Sequence, residues 1–565
     1  MKTGIVLVGH GSVEPYNKET IEFFASMLKS HYDFVAAAFM QLNEPPIEES
    51  IQKAIDAGME RIIVLPVFIA RGVHTDLDIP EKLGLERGIR RKVIKAKDRN
   101  VLLFYAETIG KDPRLLDILI DRIASAEASA LTRVLVVDAT HGGITLSEEY
   151  VKRGYDVVCV DVHKTVSKEA QDRLKYAFNI VKDLPELKDY DLIVYPVHFP
   201  AHRLERAKRI PTFTHHQAVR KILEGDLRCP VVEVTGSFGK TSTIWAAISV
   251  LKNRHCILAM TSDGIFHINE SATTQLAERV STTPANIIKA VRLCREKIDL
   301  AMFEVSLGGT GLADLGIIKN VYDNYPIAEG TSRACDAKLS MIKEARPNSS
   351  VLVNADDPLL RGLSDAQMFS SFGREVEVRA DNVMVNDGGI RFEAFFSNFR
   401  DSRGSLVSGK HRIQASPRLV GRQHVENLLV ASAIAVFFGA DENDVAQLRS
   451  FNGVGDKMVL DNPHNPTKVL NISSSIGPLS LERAIKDFLE VFGPPVSLCI
   501  GGKIKTTCGS ANLKEFADVI TGFHELNPVA LFGELGESIR PLLREKEIVD
   551  TTSLGSNPVL YIERR

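Results

Sequence analysis

Residues 230–251 read Pro-Val-Val-Glu-Val-Thr-Gly-Ser-Phe-Gly-Lys-Thr-Ser-Thr-Ile-Trp-Ala-Ala-Ile-Ser-Val-Leu. Pro230–Val234 is a short, mostly apolar run of strand length, and Thr243–Leu251 suits a helix. Between them lies Thr235-Gly236-Ser237-Phe238-Gly239-Lys240-Thr241-Ser242. Its glycines let the backbone curl until several N–H groups face one anion, and the helix that follows adds the partial positive charge of its N-terminus. In such loops the lysine, here Lys240, reaches the terminal phosphates of a nucleotide, and the hydroxyl after it, here Thr241, ligates Mg²⁺. The spacing departs from the usual phosphate-loop pattern, because Val234 stands where the first glycine belongs. A strand, a phosphate loop and a helix in that order open a parallel α/β sheet.

The same alternation runs outward in both directions. Ile5–Val8, Ile62–Val67, Val134–Val137, Val157–Val160, Leu192–Tyr195, Leu300–Val305 and Val351–Asn354 are short apolar runs with amphipathic segments between them. Fully apolar strands between helices belong to parallel sheets covered on both faces. The 565 residues therefore predict a multi-domain α/β protein of doubly wound parallel sheets, about four domains at roughly 150 residues each. The expected divisions are 1–124, 131–227, 228–452 and 453–565. Ala124–Ala130 is a small-residue linker candidate or an extension of the helix before it, and residues 87–99, rich in Arg and Lys including Lys97, are expected as a basic loop.

Composition excludes several classes. A net charge of −3 gives no overall pull toward nucleic acid or membrane. No apolar run is long enough to span a bilayer. The seven cysteines, Cys508 among them, are scattered without a C-x-x-C pair, which fits a reducing cytoplasm.

Further motifs follow the phosphate loop. They are Ser281-Thr282-Thr283-Pro284, Phe303-Glu304-Val305-Ser306, Ala337-Lys338, Asn354-Ala355-Asp356-Asp357-Pro358 and Gly421-Arg422-Gln423-His424-Val425-Glu426-Asn427. In this order they resemble the Mur ligases and their folylpolyglutamate synthetase relatives. The resemblance implies a Rossmann-like N-terminal domain, a central ATPase domain and a C-terminal α/β domain. It implies ATP binding by Thr235, Gly236, Ser237, Gly239, Lys240, Thr241, Ser242, Asn354, Asp356 and Asn427. It implies Mg²⁺ held by Thr241, Glu304 and a carbamylated Lys338, with Lys240, Glu304 and Lys338 acting on phosphoryl transfer. A solvated helix lysine is the plain alternative for Lys338, and a helix-capping carboxylate for Glu304. Two departures matter. Asn320-Val321-Tyr322-Asp323-Asn324-Tyr325 lacks the family's metal-binding histidine. The amino-acid pocket is not evident either: Val469–Ser475 occupies its place, and Asp461-Asn462-Pro463-His464-Asn465-Pro466 falls a strand early.

At the other end, Gly9-His10-Gly11-Ser12 follows the first strand, and His74 follows another. Two histidines at C-terminal strand ends of a parallel sheet converge on the usual ligand crevice, and neutral imidazole suits Ni²⁺ or Co²⁺. Val8–Ser12, Phe39–Ile47, Leu65–Pro80 and Tyr105–Leu115 resemble the small archaeal sirohydrochlorin chelatases. That resemblance implies a metal-binding pair, His10 and His74, an active-site carboxylate, Glu44, and pairing of two copies as a homodimer through this domain.

Residues 134–143 (Val-Leu-Val-Val-Asp-Ala-Thr-His-Gly-Gly), 160–166, 195–200 and 214–219 resemble the N-terminal domain of coenzyme F430 synthetases, which are Mur-like. The combination implies a bifunctional enzyme of F430 biosynthesis: Ni²⁺ insertion into sirohydrochlorin, and ATP-dependent activation of a seco-F430 propionate that then closes a ring. A carbon nucleophile would account for the missing amino-acid pocket. His141 and His198 are the first candidates to meet the tetrapyrrole, ahead of His163, His202, His215 and His216. Histidines that only bond backbone are the alternative for each. The rival function is an amino-acid-adding ligase fused to a cobalt chelatase of corrinoid synthesis.

Overall fold

The computed structural model describes residues 2–96, 99–207, 209–322, 324–386, 389–455, 457–461, 468–473, 476–506 and 509–564. Lys97, Asp323, the 462–466 stretch, Ser474, Ser475 and Cys508 lie outside them. The chain divides into two compact units, Met1–Ala128 and Ser129–Arg565.

The first unit is built on one five-stranded sheet. Its spatial order is Phe34–Phe39, Thr3–Gly9, Arg61–Pro66, Arg99–Tyr105 and Arg91–Ala96. The first four strands are parallel and the last is antiparallel. Val6, Val8, Ile62, Val64, Val101 and Leu103 are buried on one face, and Ile5, Leu7 and Phe39 on the other. Burying each such side chain stabilises by about 1.5–3 kcal/mol. The expected basic loop is thus mostly an edge strand, whose lysines and arginines discourage pairing with another chain. Ala124–Ala130 extends the helix Arg114–Leu131, as alanine's helix preference allows, and the division between the two units falls within it.

The second unit holds three large sheets. A five-stranded, all-parallel sheet orders as Thr212–Thr214, Leu192–Tyr195, Arg133–Val137, Asp156–Val160 and Asn179–Val181. An eleven-stranded sheet follows, with Val231–Thr235 near its centre. Val231–Thr235 lies between Leu300–Glu304 and Leu315–Ile318, parallel to both. This sheet is mixed rather than purely parallel. Gly264–Ile268 and Thr273–Glu278 turn back antiparallel at one edge, and Gly389–Arg400 and Leu406–Gln414 at the other. The long alternating burial of 389–400 marks a half-solvated antiparallel strand. The helix Gln423–Phe437, apolar almost all round and buried throughout, packs on this sheet beside the helix Lys240–Leu251. A six-stranded sheet ends the chain. No helix of the described residues is long and apolar enough to cross a membrane.

Candidate functional site

The phosphate loop bridges the strand Val231–Thr235 and the helix Lys240–Leu251. Gly239 caps that helix at φ +79°, and a Cβ there would lie 2.5 Å from Asn427 Oδ1 and 2.7 Å from Lys319 Nζ. Only glycine fits, so the loop stays tight against what lies beneath it. Asn320 fixes its shape from below. The Asn320 Oδ1 accepts from the Ser237 N–H at 2.8 Å and the Phe238 N–H at 3.2 Å.

At the helix start, the Thr241 hydroxyl donates to Glu304 Oε2 at 2.8 Å, and the Ser262 N–H donates to the same oxygen at 3.1 Å. Lys240 Nζ lies 3.6 Å from Glu304 Oε1 and donates to the Gly236 carbonyl at 2.9 Å. Glu304 ends the strand Leu300–Glu304, buried, so it is a loop partner and not the cap of a following helix. Lys338 is only 3% exposed, with Nζ 3.3 Å from the Ser237 hydroxyl. That removes the solvated-lysine alternative and puts this amine beside the loop. A hydroxyl, a carboxylate and a glycine cradle around one point fit a Mg-nucleotide.

Asn354 and Asp356 lie at the end of the strand Ser350–Asn354. The Asn354 Oδ1 accepts from the Asp356 N–H at 2.9 Å, while its buried Nδ2 has no partner among the described residues. Asp356 accepts from the Ser370 hydroxyl at 2.6 Å and the Ser371 N–H at 2.7 Å, holding the next strand's end. Asn427 is buried, and its Oδ1 accepts from Thr243 and Lys319.

Lys319, Glu426 and Arg483 were not singled out from sequence. Lys319 is fully buried 3.4 Å from Glu426, which also accepts from Arg483 at 3.1 Å. Burial pushes the Lys319 ammonium down to about 8, against the pull of Glu426. The Arg483 guanidinium lies over the rings of Phe238 and Tyr322, which stack with centroids 5.7 Å apart. A lysine closing an apolar strand, Leu315–Ile318, was the available signal for the first of these.

Four side chains meet at the C-terminal ends of three adjacent strands in the five-stranded parallel sheet of the second unit. Asp138 Oδ2 lies 2.7 Å from His141 Nδ1, 2.8 Å from His198 Nε2 and 3.5 Å from His163 Nε2. The structure brings His141 and His198 together, and adds Asp138 and His163. Burial alone would raise the Asp138 carboxyl, but hydrogen bonds from His141 and His198 outweigh it and hold it far below the usual carboxylate range. His215 and His216 do something else. They open the helix His215–Leu223 behind a Thr214–Gln217 capping box. Their Nε2 atoms bond the carbonyls of Val137 and Ser306, each at 2.9 Å. His202 is exposed.

In the first unit the rings of His10 and His74 stand 4.9 Å apart, centroid to centroid, at 68°. His10 Nδ1 pairs with the Gly11 carbonyl at 2.8 Å and His74 Nδ1 with Asp78 Oδ2 at 2.6 Å. With the Nδ1 protons donated there, both Nε2 atoms keep the lone pair a metal needs, although at His10 the Gln41 amide donates to it. Gly11 has φ +88°, and a Cβ on it would come 1.7 Å from the Gln41 carbonyl. Gln41 in turn touches His10 Nε2 at 3.3 Å. Glu44 is exposed on the same 40–46 loop, and no hydrogen bond ties it to either histidine among the described residues.

Comparison with known proteins matches two stretches of the chain. The CbiX family model matches residues 4–126, and the Mur ligase middle domain model matches 234–435. A sirohydrochlorin cobaltochelatase of Methanopyrus kandleri is 40% identical over 136 residues, 22% of this chain and 95% of that protein. A coenzyme F(430) synthetase of Methanosarcina acetivorans is 36% identical over 235 residues, 40% of this chain but only 50% of that protein. Its counterpart in Methanocaldococcus jannaschii is 27% identical over 420 residues, 72% of this chain and 92% of that protein. Over its first unit the chain belongs to the CbiX family, and its second unit carries the middle domain of the Mur ligases.

Proposed function

We propose that this chain is a bifunctional enzyme of coenzyme F430 biosynthesis. The first unit inserts Ni²⁺ into sirohydrochlorin. The second uses ATP to activate a propionate of the seco-F430 acid for ring closure. The observation that carries this reading is the coexistence, in one chain, of a strand-end histidine pair and an intact phosphate loop backed by Glu304. Relatives named for both activities support it.

In the second unit a carboxylate oxygen of the acid attacks the γ-phosphorus, ADP leaves, and an acyl phosphate forms. The carboxylate becomes a competent electrophile because phosphate is now its leaving group. Lys240 and the loop N–H groups hold the transferring phosphoryl group, where positioning and charge stabilisation dominate catalysis. Mg²⁺ bound beside Thr241 and Glu304 supplies charge neutralisation on the phosphates. Lys338, carbamylated, would face the same point, and Asn354, Asp356 and Asn427 shape the nucleotide side. A carbon of the macrocycle then displaces phosphate. His141 and His198 line the acid's side of the cleft.

In the first unit His10 and His74 present the metal to the ring nitrogens and accept pyrrole protons, with Glu44 at the cleft edge. Cobalt insertion is the second reading, favoured by the cobaltochelatase name of the relatives. We further propose that two copies pair through this unit, where Phe23, Met27, Leu116 and Ile120 are exposed apolar side chains. The reading places the protein in the cytoplasm.

The test incubates the purified chain with sirohydrochlorin and Ni²⁺, and separately with seco-F430 acid, ATP and Mg²⁺. Nickel sirohydrochlorin and acid-dependent ADP release are expected. Absence of both overturns the proposal, and ADP release that requires an added amino acid replaces it with the rival ligase.

A further inference from the structure

The cluster at Asp138 has more donors than binding of a tetrapyrrole needs. One ligating atom from each of Asp138, His141, His163 and His198 lies within 4.8 Å of every other. Donors about 2.1 Å from a tetrahedral ion lie roughly 3.4 Å from one another. The separations of 2.7, 2.8 and 3.5 Å around Asp138 Oδ2 bracket that value, and no other pair of the four is more than 4.8 Å apart. The other oxygen is already committed: Asp138 Oδ1 accepts from the N–H groups of Thr140 at 3.1 Å and His141 at 3.2 Å. One buried carboxylate oxygen is therefore left facing three imidazole nitrogens.

The fold holds these groups firmly. Asp138 sits at φ 74° as the strand Arg133–Val137 ends, with its side chain only 1% exposed. Asp161, buried at the end of the neighbouring strand, accepts from the N–H groups of Thr165 and Val166 and so fixes the turn that carries His163. The three histidine side chains are 29–45% exposed, so the carboxylate is the floor and the imidazoles form an open rim.

A metal already inside a tetrapyrrole has its four equatorial positions filled by ring nitrogens. One face of the ring offers a protein a single axial position. Four converging side-chain donors exceed that, and suit an ion that carries no macrocycle. Three imidazoles and a carboxylate, with no thiolate, are the donor set of a borderline divalent ion such as Zn²⁺, Co²⁺ or Ni²⁺.

We propose that Asp138, His141, His163 and His198 hold one divalent first-row transition-metal ion belonging to the protein itself. The half-exposed imidazole rim leaves the outer side of the ion facing solvent. Its floor is tied to the phosphoryl-transfer side of the unit. A Cβ on Gly142 would meet that of Ala285 at 2.6 Å, so the 139–143 turn packs on the helix Ala285–Leu293. His216 bonds the carbonyl of Ser306, two residues beyond Glu304. The binding of the ion does not depend on the ligase reading.

The experiment uses the full chain carrying His10→Ala and His74→Ala, which silences the first unit's pair. The protein is stripped with a chelator, freed of it, and titrated with Co²⁺ without nucleotide or acid. Equilibrium dialysis is expected to give one tightly held ion per chain, with ligand-field bands in the visible and a raised unfolding temperature. Adding His163→Ala, or separately His198→Ala, should weaken binding by more than the roughly 10–100-fold that changes behind a ligand cost. The unfolding temperature of the metal-free variants checks that they fold. No cobalt uptake by the parent, or equal uptake by folded His163→Ala and His198→Ala, overturns the proposal.

Discussion

Two histidine clusters stand at the C-terminal ends of parallel strands in this chain, and they are built differently. In the first unit, His10 and His74 each tie up Nδ1, one on a backbone carbonyl and one on Asp78, with their rings 4.9 Å apart. In the second, three imidazoles turn inward on a shared buried carboxylate. Two donors bind an ion loosely enough to pass it on. Three imidazoles and a carboxylate bind one to keep it. On the proposed roles, the number of donors at a strand end separates delivery from retention, although the strand-end position is the same.

The largest expected effects separate the two units. Lys240→Ala should lower acid-dependent ADP release by at least about 100-fold, since it removes the group proposed to hold the transferring phosphoryl, and leave metal insertion unchanged. His10→Ala should do the reverse, and parallel assays of both products check the pair. If either variant loses both activities, the units do not act separately and the comparison breaks. Next, Asp78→Asn keeps His10 and His74 but loosens the orientation of His74. Metal insertion should fall roughly 10–100-fold, as for other groups behind a metal ligand.

Acid separates the histidines that bond backbone from those that offer ligands. Burial pushes His215 down to about 3 and His216 down to about 4. Both stay neutral in the folded protein while the unfolded chain takes up protons below its ordinary value near 6.5. Their contribution is therefore complete above that value and lost as pH falls toward the folded values. Each should cost about 2 kcal/mol by pH 5. A falling unfolding temperature of the second unit between pH 7 and 5, less steep in His216→Gln, checks this. The smallest effect is expected of His202→Ala: exposed and outside both clusters, it should change either activity by less than about twofold.

The α/β class and the phosphate loop were legible because they are local. A strand, a glycine turn and a helix lie within about twenty consecutive residues, and the apolar runs announce themselves one by one. Glu304 and Lys338 were found through short motifs, and the structure sets both beside the loop. The edge strand Arg91–Ala96 and the antiparallel strands 389–414 were missed for a different reason. Their charged or alternating residues resemble loops until a neighbouring strand is known. Asp138 lay inside a quoted motif, yet its importance comes from His163 and His198, brought in from two other strands. Six histidines of one stretch looked alike in sequence. Burial and partners sort them into three that meet Asp138, two that brace backbone and one that is exposed.

The cation over Phe238 has a consequence for how this molecule is made. A ribosome that has passed Phe451 has already joined every glycine, lysine and threonine of the nucleotide loop, together with Glu304 and Lys338. The guanidinium of Arg483, which flanks Phe238 and neutralises Glu426, has not yet been synthesised. During that interval Glu426 has Lys319 and the Asn320 amide for partners, and the aromatic wall of the loop lacks its cover. The loop is written in the middle of the message, but the cover of its aromatic wall comes only with Arg483.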